Sequence, residues 1–267
     1  MRNLWKTMGG YDALVQYNEC AVRQFIRKWD VYRDEGMSHA DFIKSQAEEV
    51  DINLGYIDFN HYRQDVYLWY LIHPYGCIDT FKDAFKDDLK VFGYDINLDF
   101  PDKNALEKLI LGLQKAGISI SIEDFKLDLD QYYRWSRNLL AHKLDDKEKK
   151  KLEHLYCKLD KEKIFSWYPS LTGALSAPCH YTFDDYTLCT ANLKNIADIL
   201  TTDVYNSINW NKFNVDELSK SKHLRRFIHN PDRFAQAVKG YIQSHYGVIL
   251  PHDELNILIN KIKDSYE

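Results

Sequence analysis

The segment Tyr132-Tyr133-Arg134-Trp135-Ser136-Arg137-Asn138-Leu139-Leu140-Ala141-His142-Lys143 gathers guanidinium groups, an amide and an imidazole on a short stretch of chain. An imidazole with a pKa near neutrality can take a proton from a hydroxyl and return one to a departing oxygen. A guanidinium presents a fixed fork of donors to a phosphate whose negative charge grows in the transition state. An amide can orient either group by hydrogen bonding. RNA carries its own nucleophile, the 2′-hydroxyl, so this set of side chains suits cleavage of a ribose phosphodiester without a metal ion. On a regular helix Arg134, Asn138 and His142 fall at i, i+4 and i+8 and form one polar stripe, with Arg137 beside it. Tyr132, Trp135 and Leu139 are then expected to bury the opposite side.

Spacing alone says little. With ten Arg and ten His in the chain, an Arg followed by a His after four to six intervening residues is expected about once by chance. Asking for Asn, Asp or His directly after the Arg lowers that expectation to roughly 0.2. The segment resembles the signature of the HEPN ribonucleases: an Arg, a polar residue directly after it, and a His five to seven positions beyond the Arg. Matched residue by residue, Arg137 takes the place of the catalytic Arg, Asn138 the polar position and His142 the catalytic His. The resemblance implies a helical bundle that forms a homodimer, with both motifs lining one composite cleft. It further implies metal-independent cleavage of RNA, without a cofactor, leaving cyclic-phosphate or 3′-phosphate ends. A toxin, anti-phage defence or stress role comes with it, as does a protein inhibitor or antitoxin as partner. Around the motif, Arg134 and Lys143 are candidate phosphate contacts, and Trp135 and Tyr133 are candidate stacking platforms for a base.

Those side chains need rigid elements beneath them, and most of the chain reads as helix. Residues 11–32 carry apolar groups at helical spacing. Ser38 is an expected N-cap for a shorter helix through Phe42 and Ala47. A helical zone runs over residues 61–92, where Pro74 and Gly76 are expected to break or kink it. Its second part has an amphipathic stripe at Ile78, Phe81, Phe85, Leu89 and Phe92. Another helix is expected over 102–115. The run Ile118-Ser-Ile-Ser-Ile alternates with period two but is too short to argue a sheet. Ser121-Ile-Glu-Asp resembles the start of the helix that carries the motif. A Lys- and Glu-rich amphipathic helix is expected over 143–165, and further helices near 183–206, 212–229, 231–246 and 251–265. Residues 167–181, with Pro169, Gly173 and Pro178, form the longest break. The expected organisation is all-α: a HEPN-type bundle over 1–166 and C-terminal helices over 182–267 that complete it or stand apart.

Bulk properties agree with a packed helical protein. The 267 residues are 45% hydrophobic and 28% charged, with 19 Tyr, 13 Phe and 6 Trp against only 11 Gly and 6 Pro. So few chain-breaking residues permit long helices, and the aromatic rings supply thick packing between them. The net charge of −5 gives no whole-molecule attraction for nucleic acid, so an RNA site must rest on a local group of cations. Residues 1–10 contain no apolar run suited to a signal peptide, and the longest apolar stretch, 66–72, is too short to cross a bilayer. A cytoplasmic protein with no membrane partner is expected. The five cysteines are scattered without a Cys-x-x-Cys pair, which points to neither a disulfide framework nor a zinc centre.

Residues 220–233 hold five Lys or Arg and one Asp, the most basic stretch of the chain, and read as a solvated helix face or a phosphate contact. Pro178-Cys179-His180 lacks the second close Cys of a zinc deaminase. Three functions remain open on the sequence: a metal-independent endoribonuclease, a non-catalytic HEPN-like module that binds RNA or protein, and a helical interaction scaffold.

Overall fold

The computed structural model describes residues 2–53, 59–141, 145–171 and 173–266, and it is all-α. No strand occurs among the described residues, and none of their helices is long and apolar enough to cross a membrane. Local sequence explains most helix ends. Ser38 caps α2 (His39–Glu49) by accepting from the Asp41 amide at 3.2 Å, as its position in the sequence suggests. Asn104 and Glu107 form a reciprocal capping box that opens α5 (Ala105–Lys115), and Asp145 and Glu148 do the same for α7 (Asp146–Lys158). Toward the C-terminus, α12 (Pro231–Tyr246) has Asn230 as N-cap, Pro231 in its first turn and Gly247 in the left-handed region at φ 75°.

Two helix breaks lie elsewhere than the sequence suggests. α3 (Phe59–Tyr70) stops one residue short of Leu71, and α4 (Ile72–Val91) starts directly after it. Pro74 therefore sits in the first turn of α4, where a missing amide hydrogen costs no intrahelical bond. Neither Pro74 nor Gly76 interrupts the helix that contains it. The expected helix over 143–165 is two: α7 ends at Lys158, and Asp160 caps α8 (Lys161–Trp167) through the Lys163 amide at 3.0 Å. Residues 212–229 divide into a 3-10 turn (Trp210–Lys212) and the short helices α10 (Asp216–Lys220) and α11 (Lys222–Arg225).

The chain forms two compact units that interleave along the sequence. One comprises Met1–Lys6, Tyr75–Leu127 and Asn192–Glu267; the other comprises Thr7–Pro74 and Asp128–Ala191. The break at 167–181 falls inside the second unit. In the first unit α12 and α13 (His252–Asp264) bury Phe234, Val238, Ile242, Leu255, Leu258 and Ile262 in one apolar cluster. In the second unit Phe42, Val15 and Val22 are buried from α1 (Arg2–Asp34) and α2, and Leu129, Leu152, Ile164 and Leu188 from the later helices. α6 (Asp124–Ala141) and α9 (Phe183–Ser207) each contribute residues to both units.

Candidate functional site

The part of α6 that carries the motif is held by its aromatic side. Leu129, Tyr132, Tyr133 and Ser136 are fully buried, at i, i+3, i+4 and i+7, which is one face of a helix. Trp135 and Leu139, expected on that face, are only half-buried. The reason is a polar anchor that pulls Tyr133 inward. Its hydroxyl donates to Oδ1 of Asp185 at 2.9 Å, and Asp185 is itself fully buried in the first turn of α9. The same carboxylate accepts from the Ser176 amide at 2.9 Å, the Ser176 hydroxyl at 2.6 Å and the Thr182 amide at 2.8 Å. The Thr182 hydroxyl adds a further donor at 3.1 Å. A buried carboxylate is tolerated when donors surround it in this way. Tyr132 donates to the Ser176 carbonyl at 2.5 Å and packs against Tyr133, Tyr156 and Tyr181 at ring-centroid distances of 5.2, 5.7 and 6.5 Å. Burial pushes the Tyr133 hydroxyl well above its ordinary pKa, and the nearby Asp185 carboxylate pushes the same way. The Tyr132 hydroxyl is likewise raised, first by burial and then by Tyr181. Both phenols are hydrogen-bond donors fixed in the core, and Tyr133 is not accessible for stacking on a base.

Beside that anchored face, Arg137 and Asn138 are half-buried neighbours, with Arg137 one turn after Tyr133. The Arg137 guanidinium donates to Oδ1 of Asn138 from Nη2 at 3.2 Å and from Nε at 3.4 Å. Asn138 thus steers the guanidinium with a neutral acceptor, which fixes its plane and leaves its charge uncancelled by that contact. Arg134 lies one turn earlier and is also half-buried. The indole of Trp135 is covered by the Lys151 ammonium, 4.0 Å from the ring centroid, which ties α6 to α7. His142 and Lys143 lie outside the described residues. The structure therefore describes Arg134, Trp135, Arg137 and Asn138 of the six site residues read from the sequence, all on α6.

The same spacing rule is met a second time, a match overlooked in the sequence. Arg33 is followed directly by Asp34, and His39 stands six positions on. Here the guanidinium pairs with Asp30 at 3.2 Å and with Asp34 at 3.3 Å, and its side chain is 55% exposed. His39 opens α2 with its ring edge-on to Trp29, the centroids 5.2 Å apart.

Other sequence candidates resolve simply. Residues 220–233 fall in the first unit, where Arg225 lies over the Tyr266 ring at 5.5 Å. Cys179 and His180 are exposed on the segment before α9. Among the described residues no group of three or more His, Cys, Asp or Glu side chains is arranged to hold a metal ion. Asp185 is the residue of consequence that the sequence concealed. Its only signal was position, an acid in the first turn of a helix, which usually reads as a solvent-facing cap. Comparison of the chain with protein-family models, with curated proteins and with solved structures found no match.

Proposed function

We propose that the chain is a metal-independent endoribonuclease of the HEPN type, with Arg137, Asn138 and His142 as its reactive set. One observation carries this reading: the guanidinium of Arg137 is oriented by the neutral amide of Asn138 on a half-buried turn of α6, five positions before His142 in the sequence. A guanidinium whose plane is fixed by a neighbouring amide presents its forked donors in a set direction to a phosphate. In the reaction His142 takes the proton of the RNA 2′-hydroxyl, or gives one to the leaving 5′-oxygen. Arg137 stabilises the charge that builds on the phosphate oxygens as the 2′-oxygen attacks phosphorus. The 5′-oxygen departs, and a 2′,3′-cyclic phosphate is left on the upstream fragment. A second chain would supply the partner His for the opposite proton transfer, which is why a homodimer belongs to this reading. Arg134 and Lys143 would hold flanking phosphates. The toxin or anti-phage role, and an inhibitor or antitoxin that restrains it, rest on the family resemblance.

The test is cleavage of RNA by the purified chain in EDTA, beside His142→Ala and Arg137→Ala. Cleavage by the unaltered chain alone, with cyclic-phosphate ends, is the expected result. Where the enzyme needs a trigger, the same three chains are compared for growth arrest on expression. Equal behaviour of all three in both assays would sink the proposal. RNA binding without cleavage or toxicity would leave a non-catalytic module.

A further inference from the structure

The second unit contains an open cavity of about 360 Å³ among α1, α3 and the start of α9, built without any residue of the Arg137 motif. Arg23, Arg27 and Arg63 line it together with Tyr67, Phe183 and Asp184. The three cations are not equivalent. Arg23 is committed: its Nε bonds Oε1 of the buried Glu19 at 2.7 Å, and its guanidinium lies 5.6 Å from the centre of the Phe183 ring. The side chains of Arg27 and Arg63 have no hydrogen bond or ion pair among the described residues, although both border the same small volume. Two such guanidinium groups repel each other, and an anion between them relieves that repulsion while using their forked donors. Asp184 adds an acceptor to the same wall. It is crowded by the backbone at Gly173, where a Cβ would collide with its carboxylate, so the loop and the acid are closely fitted.

We propose that this cavity binds a small phosphate monoester that bears free hydroxyls, of the sugar-phosphate and nucleotide class. The phosphate lies between Arg27 and Arg63, and a hydroxyl of the same molecule donates to Asp184. The volume is at the lower end of that of small-ligand pockets, which suits one such molecule and not a folded partner. A phosphate, with two negative charges and three free oxygens, satisfies two forks at once, which a single carboxylate does not. Asp184 disfavours a bare anion and favours one that also brings a donor, so the cavity selects the ester over inorganic phosphate. This site does not depend on the ribonuclease reading and stands or falls without it.

The experiment is calorimetric titration of the whole chain with ribose 5-phosphate, 5′-AMP, adenosine, inorganic phosphate and succinate. One monoester per chain is expected to bind, with adenosine and succinate at least about tenfold weaker, the loss expected for one charge-assisted contact. Tighter binding of 5′-AMP than of ribose 5-phosphate would identify a nucleotide site, and equal binding a sugar-phosphate site. Arg27→Ala and Arg63→Ala should each weaken the monoester by about tenfold. Both arginines are exposed, and the fold is checked by thermal unfolding of each variant. Asp184→Asn separates the two halves of the site: it should weaken the monoester and strengthen inorganic phosphate. The proposal is overturned if neither monoester binds, if adenosine or succinate binds as well as the monoester, or if the Arg27→Ala/Arg63→Ala double variant binds as well as the unaltered chain. Asp184→Asn moving monoester and inorganic phosphate in the same direction would also overturn it.

Discussion

Arg33-Asp34 with His39 and Arg137-Asn138 with His142 obey one spacing rule, but the two arginines differ in exposure and in the acceptors that hold them. Arg33 ends a long helix, lies more than half in water and is paired with two carboxylates. Water and neighbouring acids screen its field, and as a cation in the last turn it complements the helix dipole. Arg137 is half-buried, is oriented by an amide, and stands one turn after Tyr133 on a helix pinned by Tyr132, Tyr133 and Asp185. The difference teaches that the residue directly after the arginine matters for its charge and its burial. A carboxylate there makes a surface ion bridge, whereas an amide fixes the plane of the guanidinium through a neutral acceptor.

The largest expected effect breaks the comparison outright. Arg137→Ala and His142→Ala should each lower RNA cleavage by about a thousandfold, the scale for losing a charge-stabilising donor or a general acid–base. Arg33→Ala and His39→Ala should stay within about twofold of the unaltered chain, as for surface changes remote from chemistry. Initial rates on a labelled RNA measure both, and a reversed ranking would move the site to α1 and α2. Next comes the exchange of the neighbouring residue. Asn138→Asp puts a carboxylate directly after Arg137, as Asp34 stands after Arg33, and cleavage should fall by about a hundredfold while the helix stays intact. Asp34→Asn should not create activity at Arg33, because Asp30 still pairs with it.

A third test concerns the platforms beneath the two arginines. Asp185→Ala strands several buried donors, and chemical denaturation should register a loss of about 3–5 kcal/mol. Asp30→Ala removes an exposed partner of Arg33 and should cost less than about 0.5 kcal/mol. The smallest effect is the pH dependence of the α6 anchor. Tyr132 and Tyr133 hold their protons in the folded chain to higher pH than in the unfolded chain. The folded state therefore binds more protons above the ordinary tyrosine pKa of about 10, and stability falls as pH rises past that value. The unfolding temperature should be insensitive to these groups below that pH and drop above it, with a shallower drop in Tyr133→Phe. An unchanged slope in that variant would remove Tyr133 from the account.

Much of the fold is written locally, and for that reason it is legible in the chain. Helix periodicity, the caps at Ser38 and Asn230 and the left-handed Gly247 act over a few residues, so α2, α9, α12 and α13 fall close to where the sequence puts them. The adjacency of Arg137 and Asn138, and their place on a helix, are equally local. What the tertiary structure decided depends on residues far apart in the chain. The face of α6 that turns inward is set by Asp185, whose bond to Tyr133 spans 52 positions, so Tyr133 and Ser136 are buried more deeply than Trp135 and Leu139. The helix break falls at Leu71 and not at Pro74, because a proline in a first turn forfeits no bond. The two compact units alternate along the sequence, and the cavity of Arg23, Arg27 and Arg63 draws on three separate segments. Short-range propensity determined where helices form and which side chains share a turn; long-range hydrogen bonding and packing determined which faces they bury.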